Sequence, residues 1–288
     1  MFKILIPVDT TPLAEQIAPD VSDLVARRDA ETTLLNVLPD MVGYDPARIQ
    51  RARTEALARL HAVADRIAPA SAAIRYELRM GDPGREIMKL IALDAPSIIA
   101  MPTHGRSGLE RLIEGSVAEQ ILRHTNVPML LTHHAVRNDT NRYARILVAL
   151  DGTRDSEQVL PMVEEIAITH GSEVVLFYDE PGVTDVGEVL GVRDAPQRIA
   201  AYAARLTNAG LEVRVEQTKT GRAADALLAR IRQDKFDLVA MTTHGREGLA
   251  RIAFGSVAEK VLRDADVTML VKCTAPMAND RSVERYLG

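Results

Sequence analysis

Two stretches of the chain, residues 103–119 and 243–259, carry the same pattern of histidine, arginine, glycine and serine. In each, nine residues separate a glycine from a Gly-Ser pair, and the two copies lie 140 positions apart. Glycine lets the backbone approach a ligand closely or adopt a positive φ. Backbone N–H groups at the start of a helix attract anions. The pattern therefore predicts a binding site for phosphate, or for a similar anion, in each copy.

The segments on either side of each stretch are those that such a site needs. Apolar runs at residues 97–101 and 237–241 come before the glycines and predict buried strands. Helices are predicted after them, at residues 117–124 and 257–264. A strand, a glycine loop and a helix in this order turn backbone N–H groups toward a ligand. A repeat of this length also indicates two domains of one kind.

The serines of the two stretches have a second interpretation. Ser116 with Glu119, and Ser256 with Glu259, fit the capping box S-x-x-E, in which both side chains satisfy helix N–H groups. Capping leaves the neighbouring backbone available to a phosphate, so the two interpretations do not exclude each other. The glycine-rich loop before the serines favours an anion site.

An aspartate ends the first strand of each half. Asp9 follows an apolar run at residues 2–8, and Asp151 follows its counterpart at residues 144–150. Each is a candidate for contact with a ligand, and equally for capping the helix that follows. Arg106 and Arg246 follow the glycines, where they would either complement phosphate charge or remain solvated. The histidines of the loops have no second ligand at metal spacing, so no metal site is predicted.

Strands alternate with helices five times in each half, which predicts parallel, doubly wound sheets with helices on both faces. We predict two tandem α/β domains, flavodoxin-like or Rossmann-like, each with five parallel strands in the order 3-2-1-4-5. In that order a crevice opens at the carboxyl ends of strands one and four. Asp9 meets the loop 103–108 at one crevice, and Asp151 meets the loop 243–248 at the other. The aspartates and the glycine loops therefore converge.

The repeat also predicts the domain boundaries. The first domain is expected at residues 1–135 and the second at 143–275, with a polar linker at 136–142 and a polar tail at 276–288. Within the first helix of each half, Pro19 and Pro161 are expected to lie inside the helix and to bend it.

Composition excludes several classes of function. The formal net charge is −5, so neither a nucleic-acid footprint nor a polybasic membrane patch is expected. A single cysteine, Cys273, fits a reducing compartment. No leader peptide and no apolar run long enough for a bilayer is seen, so we expect a cytoplasmic protein.

The glycine pattern resembles the nucleotide-loop signature of the universal stress protein family, Gly-x2-Gly-x9-Gly-Ser/Thr. The second glycine of that signature matches Gly105 and Gly245, and its Gly-Ser matches residues 115–116 and 255–256. The likeness covers nearly the whole chain, as two tandem copies. It implies the same doubly wound fold that the strand and helix pattern predicts.

The first glycine of the signature has no match, because Pro102 and Thr242 stand in its place. Proline has no N–H to donate to a ligand. Threonine adds a branched side chain. Both differences bear on the ligand, but neither removes the glycines further along the loop.

The resemblance implies that the chain binds ATP or ADP, with Mg²⁺ as an open question. The implied nucleotide contacts come from strand ends, glycine loops and helix starts: Asp9, Val37, Pro102, Thr103, Gly105, Arg106, Gly108, Gly115, Ser116, Val117, Asp151, Tyr178, Thr242, Thr243, Gly245, Arg246, Gly248, Gly255, Ser256 and Val257. Val37 and Tyr178 end the second strands, where the resemblance implies contact with the base. Tyr178 would either stack on adenine or obstruct it.

We therefore predict a tandem universal stress protein, an adenine-nucleotide-binding regulatory protein of the stress response. The chain has no GxxxxGK[ST], no GxGxxG after its first strand and no GxSxG. No general base can be assigned, so hydrolysis of ATP is expected to be slow and incidental, if it occurs. The resemblance also implies that the two halves pair along their fifth strands as a pseudo-dimer, and that two chains associate as a homodimer.

Two other interpretations stay open. In the first, the chain is a nucleotide-free module that recruits unidentified protein partners, and Pro102 and Thr242 fill the phosphate space. In the second, the chain is an enzyme that acts on another substrate in the same crevice, and no motif in the sequence supports this interpretation.

Overall fold

The structure is a computed structural model that describes residues 1–9, 17–27, 29–68, 72–102, 117–132, 143–180, 192–243 and 255–274. The chain divides into two compact units, one containing Met1–His134 and the other Ala135–Pro276. The exact boundaries given above, with a linker at residues 136–142 and a tail at residues 276–288, stay predictions.

The first unit alternates strands and helices along the chain. Its described elements are β1 (Phe2–Pro7), α1 (Ala18–Val25), β2 (Ala30–Leu38), α2 (Pro46–Ile67), β3 (Ala73–Met80), α3 (Pro83–Asp94), β4 (Ile98–Pro102), α4 (Val117–His124) and β5 (Met129–Thr132). The strands are parallel and lie in the order β3-β2-β1-β4-β5.

The second unit repeats this arrangement. Its described elements are β6 (Arg145–Leu150), a 3₁₀ turn (Ser156–Val159), α5 (Leu160–His170), β7 (Glu173–Asp179), α6 (Ala195–Asn208), β8 (Val213–Thr218), α7 (Ala223–Gln233), β9 (Leu238–Thr243), α8 (Ser256–Asp264) and β10 (Thr268–Cys273). Its strands are parallel in the order β8-β7-β6-β9-β10. The predicted order 3-2-1-4-5 is confirmed in both units.

The core of each unit is aliphatic and lies on both faces of its sheet. Central strands are buried along nearly their whole length, as in β1, where Ile4 and Ile6 are both almost inaccessible to solvent. Leu147 and Val148 occupy the same environment in β6. Such continuous burial is typical of parallel strands that helices cover on both faces. It also leaves the strand ends as the places where polar side chains can meet a ligand.

The prediction that Pro161 bends the helix from within is wrong. The chain after β6 forms the 3₁₀ turn first, and α5 begins at Leu160 with Pro161 in its first turn. A proline there removes no intrahelical hydrogen bond, because the first N–H groups of a helix have no acceptor within it. Pro19 likewise lies in the first turn of α1 as described.

Across the residues described, none of the helices is both long enough and apolar enough to span a membrane.

Candidate functional site

A cavity of about 470 Å³ opens in the second unit at the carboxyl ends of β6 and β9. This is the place where the strand order reverses and where ligands bind in open α/β sheets. Its walls come from three strands, the 3₁₀ turn and the N-terminal parts of α7 and α8: Ala149, Leu150, Asp151, Ser156, Phe177, Asp179, Ala223, Leu227, Met241, Thr242, Gly255, Ser256, Val257, Ala258 and Glu259. The volume falls within the range of about 300–1,000 Å³ that small-molecule sites occupy.

The start of α8 forms one end of the cavity. Gly255 is the N-cap of this helix, and Glu259 N–H donates the first intrahelical bond, to the Gly255 carbonyl at 2.9 Å. The N–H groups of Ser256, Val257 and Ala258 therefore have no acceptor within the helix. The positive end of the helix dipole lies at the same place. This end of the cavity is suited to an anion.

The capping-box interpretation of Ser256 is wrong for this helix. Ser256 is the first helical residue rather than the cap, so its hydroxyl makes no capping hydrogen bond within the described part of the chain. The side chain is exposed and lines the cavity. Ser256 therefore presents its hydroxyl, as well as its N–H, to whatever occupies the cavity.

The residue at the opposite end of the cavity is Asp179, which is not among the predicted contacts. Leu150 pairs with Tyr178, whereas in the first unit Pro7 pairs with Leu35. Because Leu150 corresponds to Val8 and not to Pro7, the counterpart of Val37 is Asp179. The assignment of Tyr178 to that position was therefore one residue out of register. The equal spacing from Asp9 to Val37 and from Asp151 to Asp179 is the sequence signal that would have found it.

Tyr178 points to the other face of the sheet, because successive side chains of a strand alternate. Its ring lies beside Gly152, where a Cβ would come within 2.9 Å of Tyr178 Cε2. Burial, followed by the nearby carboxylates of Glu180 and Asp151, raises the pKa of the Tyr178 hydroxyl above its usual value of 10.0. The side chain supports the turn after β6 and is not part of the cavity wall.

Asp151 follows β6 at the middle of the cavity. Its Oδ1 accepts hydrogen bonds from the Thr153 N–H at 2.9 Å and from the Thr153 hydroxyl at 2.7 Å. These bonds form a local turn of the kind that aspartate favours. The carboxylate therefore caps this turn and at the same time lines the cavity.

Arg198 of α6 holds the same turn from outside the cavity. Its Nη2 donates to the Gly152 carbonyl at 2.6 Å, its Nε donates to Glu157 at 2.7 Å, and Nη1 pairs with Asp194. One guanidinium thus ties the residue after Asp151 to the 3₁₀ turn and to α6. Planar donors in a fixed fork suit such a role.

The two threonines at the end of β9 have different surroundings. Thr242 lines the cavity and is 8% exposed. Thr243 is not part of the cavity wall, and its carbonyl accepts the Thr274 N–H at 3.0 Å. Thr242, which replaces the signature glycine, therefore lies at the wall of the cavity, and the cavity stays open beside it.

In the first unit, the structure describes only part of the corresponding site. Asp9 is exposed beyond β1, and Val37 and Pro102 are half-buried at the ends of β2 and β4. Val117 begins α4 as described. Asn36, the counterpart of Tyr178, donates its Nδ2–H to the Val8 carbonyl at 2.7 Å, so a polar side chain supports the strand end here.

Nine of the predicted contacts lie outside the described residues: Thr103, Gly105, Arg106, Gly108, Gly115, Ser116, Gly245, Arg246 and Gly248. Among the predicted contacts that the structure does describe, five line the cavity of the second unit: Asp151, Thr242, Gly255, Ser256 and Val257.

The described wall of the cavity carries the carboxylates of Asp151, Asp179 and Glu259 and no lysine or arginine. No group of three histidine, cysteine or acidic side chains that could hold a metal occurs in the described ranges. The wall offers backbone N–H groups, three residues with hydroxyls (Ser156, Thr242 and Ser256) and an apolar floor. This chemistry suits recognition of a ligand by hydrogen bonds and burial.

Comparisons with known proteins agree on one family. The sequence model of the universal stress protein family matches residues 1–133 and again 142–272. A universal stress protein of Mycolicibacterium smegmatis is 22% identical over 290 residues, which cover 94% of this chain and 96% of the relative. Universal stress protein MJ0531 of Methanocaldococcus jannaschii is 27% identical over 150 residues, 47% of this chain and 85% of the relative.

Among solved structures, the crystal structure of a universal stress protein from Archaeoglobus fulgidus superposes with a TM-score of 0.71. The two are 24% identical, and the match covers 94% of this chain and 98% of the other. At this identity the likeness concerns the fold.

Proposed function

Because this chain belongs to the universal stress protein family, as two copies in tandem, we propose that it is a regulatory protein that binds ATP or ADP in the cavity of its second unit. The phosphates lie at the start of α8, and the nucleoside extends past Asp151 toward β7. The bound state, rather than turnover, is the signal in this proposal.

The observation that carries the proposal is the anion-binding end of the cavity. Gly255 lines it, and no described atom lies within 4 Å of the position that a Cβ would take there. The hydroxyl of Ser256 and the first N–H groups of α8 face the same space. An open space in front of unpaired helix N–H groups is the arrangement that binds phosphate in other α/β proteins.

The charges of the described wall favour a nucleotide that arrives with Mg²⁺. Asp151, Asp179 and Glu259 would repel free triphosphate, and the wall residues described include no cationic side chain to offset them. A divalent cation bound to the phosphates reduces that repulsion. ATP with Mg²⁺ is therefore expected to bind more tightly than ATP with a chelator.

The experiment is a titration of the full chain with ATP and Mg²⁺ by isothermal calorimetry, using wild type and Gly255→Val. No described atom lies within 4 Å of the Cβ that this change adds, so we expect the fold to be retained while the new side chain occupies the phosphate space. Loss of the helix N–H contacts should weaken binding to the second unit by about a hundredfold. Ala204→Val, on the exposed face of α6, is the matched control and should bind as wild type does.

Unchanged affinity in Gly255→Val would exclude the start of α8 as the phosphate site. No heat from the wild type at any concentration would favour the nucleotide-free interaction module instead.

We also propose that the first unit binds nucleotide, that the two halves pair along their fifth strands, and that two chains associate. Protein partners and a cytoplasmic location belong to the same proposal. Light scattering at several protein concentrations, with and without ATP, tests the association of chains.

A further inference from the structure

The strand order fixes which end of a bound nucleotide meets Asp179. In the second unit β6 lies between β9 and β7, and α8 is the helix that follows β9. Adjacent strands are about 4.8 Å apart, so β7 lies about 10 Å from β9 across the crevice. A nucleotide with its phosphates at the start of α8 therefore directs its base toward the end of β7, where Phe177 and Asp179 line the cavity.

The two oxygens of Asp179 are engaged differently. Oδ1 accepts hydrogen bonds from the Thr218 hydroxyl at 2.7 Å, from the Thr220 N–H at 3.0 Å and from the Thr220 hydroxyl at 3.2 Å. Among the described residues, Oδ2 has only a long contact, 3.4 Å, with that same Thr220 hydroxyl. An ionised carboxylate has acceptor sites on both oxygens. One oxygen therefore anchors the side chain, while the other retains the capacity to accept a hydrogen bond.

The corresponding residue in the first unit is Val37, which has no polar side-chain atom. The two units thus differ at the position that faces the base, although both have an aspartate after the first strand. Asp179 is 9% exposed, and within the described part of the chain its Oδ2 has only the long contact with Thr220. A ligand that brings a donor to this position therefore gains a hydrogen bond to a charged acceptor, and a ligand that brings an acceptor is repelled.

We propose that Asp179 selects the base in the second unit, by requiring an amino group on the edge that faces β7. The ligand class is a purine nucleotide with an exocyclic amino group, and the apolar floor at Phe177 and Leu227 accommodates its ring. The first unit, with Val37, imposes no such requirement. This inference rests on the proposed function, since it presumes that a nucleotide occupies the cavity with its phosphates at α8.

The test compares two ligands, ATP and purine riboside triphosphate, in which hydrogen replaces the 6-amino group. Binding to the second unit is read from the ¹³C-methyl NMR signal of Met241, which lines this cavity, in the full chain labelled at methionine. The signal is assigned with Met241→Leu, a change of similar volume. This reporter separates the second unit from any binding in the first.

The wild type should prefer ATP to the analogue by about tenfold or more, the value of one hydrogen bond to a charged acceptor. In Asp179→Asn, the amide oxygen retains the bonds from Thr218 and Thr220, and Nδ2 takes the place of Oδ2 as a donor. The preference should then disappear, because the amide N–H cannot accept a hydrogen bond from the 6-amino group and both ligands offer the same ring nitrogens. Asp179→Val, which copies the first unit, should give a ratio near one. Glu212→Gln, the same loss of charge on an exposed side chain, should leave the ratio unchanged.

An ATP preference that is equal in wild type and Asp179→Asn would overturn the inference while leaving nucleotide binding intact. If neither ligand moves the Met241 signal in the wild type, the proposed function fails and the inference falls with it.

Discussion

The turn that positions Asp151 depends on one glycine, and replacing Gly152 with alanine should destabilise the second unit strongly. Gly152 has φ of +82°, a conformation that residues with a Cβ adopt at a cost of about 1–2 kcal/mol. The new Cβ would lie 2.9 Å from Tyr178 Cε2, 3.0 Å from Tyr178 Oη and 3.1 Å from Ala195 Cβ. Overpacking of this kind costs about 1–3 kcal/mol. The two effects together give about 2–5 kcal/mol.

Gly171→Ala separates these two effects. Gly171 also has a positive φ, +63°, but no described atom lies within 4 Å of its potential Cβ. Its replacement should therefore cost only the backbone term, about 1–2 kcal/mol. By calorimetry, we expect the Tm of the second unit to fall by about 6–15 °C for Gly152→Ala and by about 3–6 °C for Gly171→Ala.

A second substitution tests whether the ring of Tyr178 is the obstacle. In a Tyr178→Leu background the shorter side chain should reduce the cost of Gly152→Ala toward that of Gly171→Ala, leaving the close contact with Ala195 Cβ, and a double-mutant cycle measures this coupling. Equal losses of Tm for Gly152→Ala and Gly171→Ala in the wild-type background would refute the packing of Tyr178 against this turn.

Two further predictions concern ion pairs of the second unit. Arg198→Met, which removes the bonds to Glu157, Asp194 and the Gly152 carbonyl, should lower the free energy of unfolding in urea by about 1–3 kcal/mol and weaken ATP binding. Arg205→Met breaks a pair on a 62%-exposed side chain and should lower the free energy of unfolding by much less than Arg198→Met does, because water screens exposed ion pairs. Equal losses for the two variants would contradict the role given to Arg198. Hydrogen bonds from Arg230 hold the pKa of Glu216 below its usual 4.5. This depressed pKa contributes stability that is present above pH 4.5 and is lost as pH falls through the folded-state pKa. Urea unfolding should therefore show a shallower loss of stability below pH 4.5 in Glu216→Gln than in wild type, and parallel pH curves would contradict the depressed pKa.

Much of the fold could be predicted because it depends on patterns that lie close together in the sequence. Apolar runs such as residues 2–8 alternate with amphipathic helices, and parallel strands with right-handed crossovers permit few orders. The convergence of Asp151 with the start of α8 followed from that order. The glycine repeat predicts an anion site at residues 255–257, and these residues line the cavity of the second unit.

The predictions of individual residues are wrong where a shift of one position changes which side chain faces the cavity or caps the helix. A shift of one position moves a side chain to the other face of a strand, which is why Tyr178 was chosen in place of Asp179. A similar shift at a helix start made Ser256 the predicted cap, although Gly255 takes that place. The floor of the cavity, with Phe177 and Leu227, comes from elements distant in sequence, and no local motif marks it.

The measurement that tests the central claim most directly is thermal unfolding of the full chain with and without ATP and Mg²⁺, together with chromatography of any nucleotide that the denatured protein releases. A ligand at a hundred times its Kd stabilises the folded state by about 2.7 kcal/mol. In a unit of this size that should raise Tm by about 5–10 °C, and Gly255→Val should abolish most of the increase. Unchanged Tm in the wild type, with no nucleotide released, would contradict nucleotide binding by this protein.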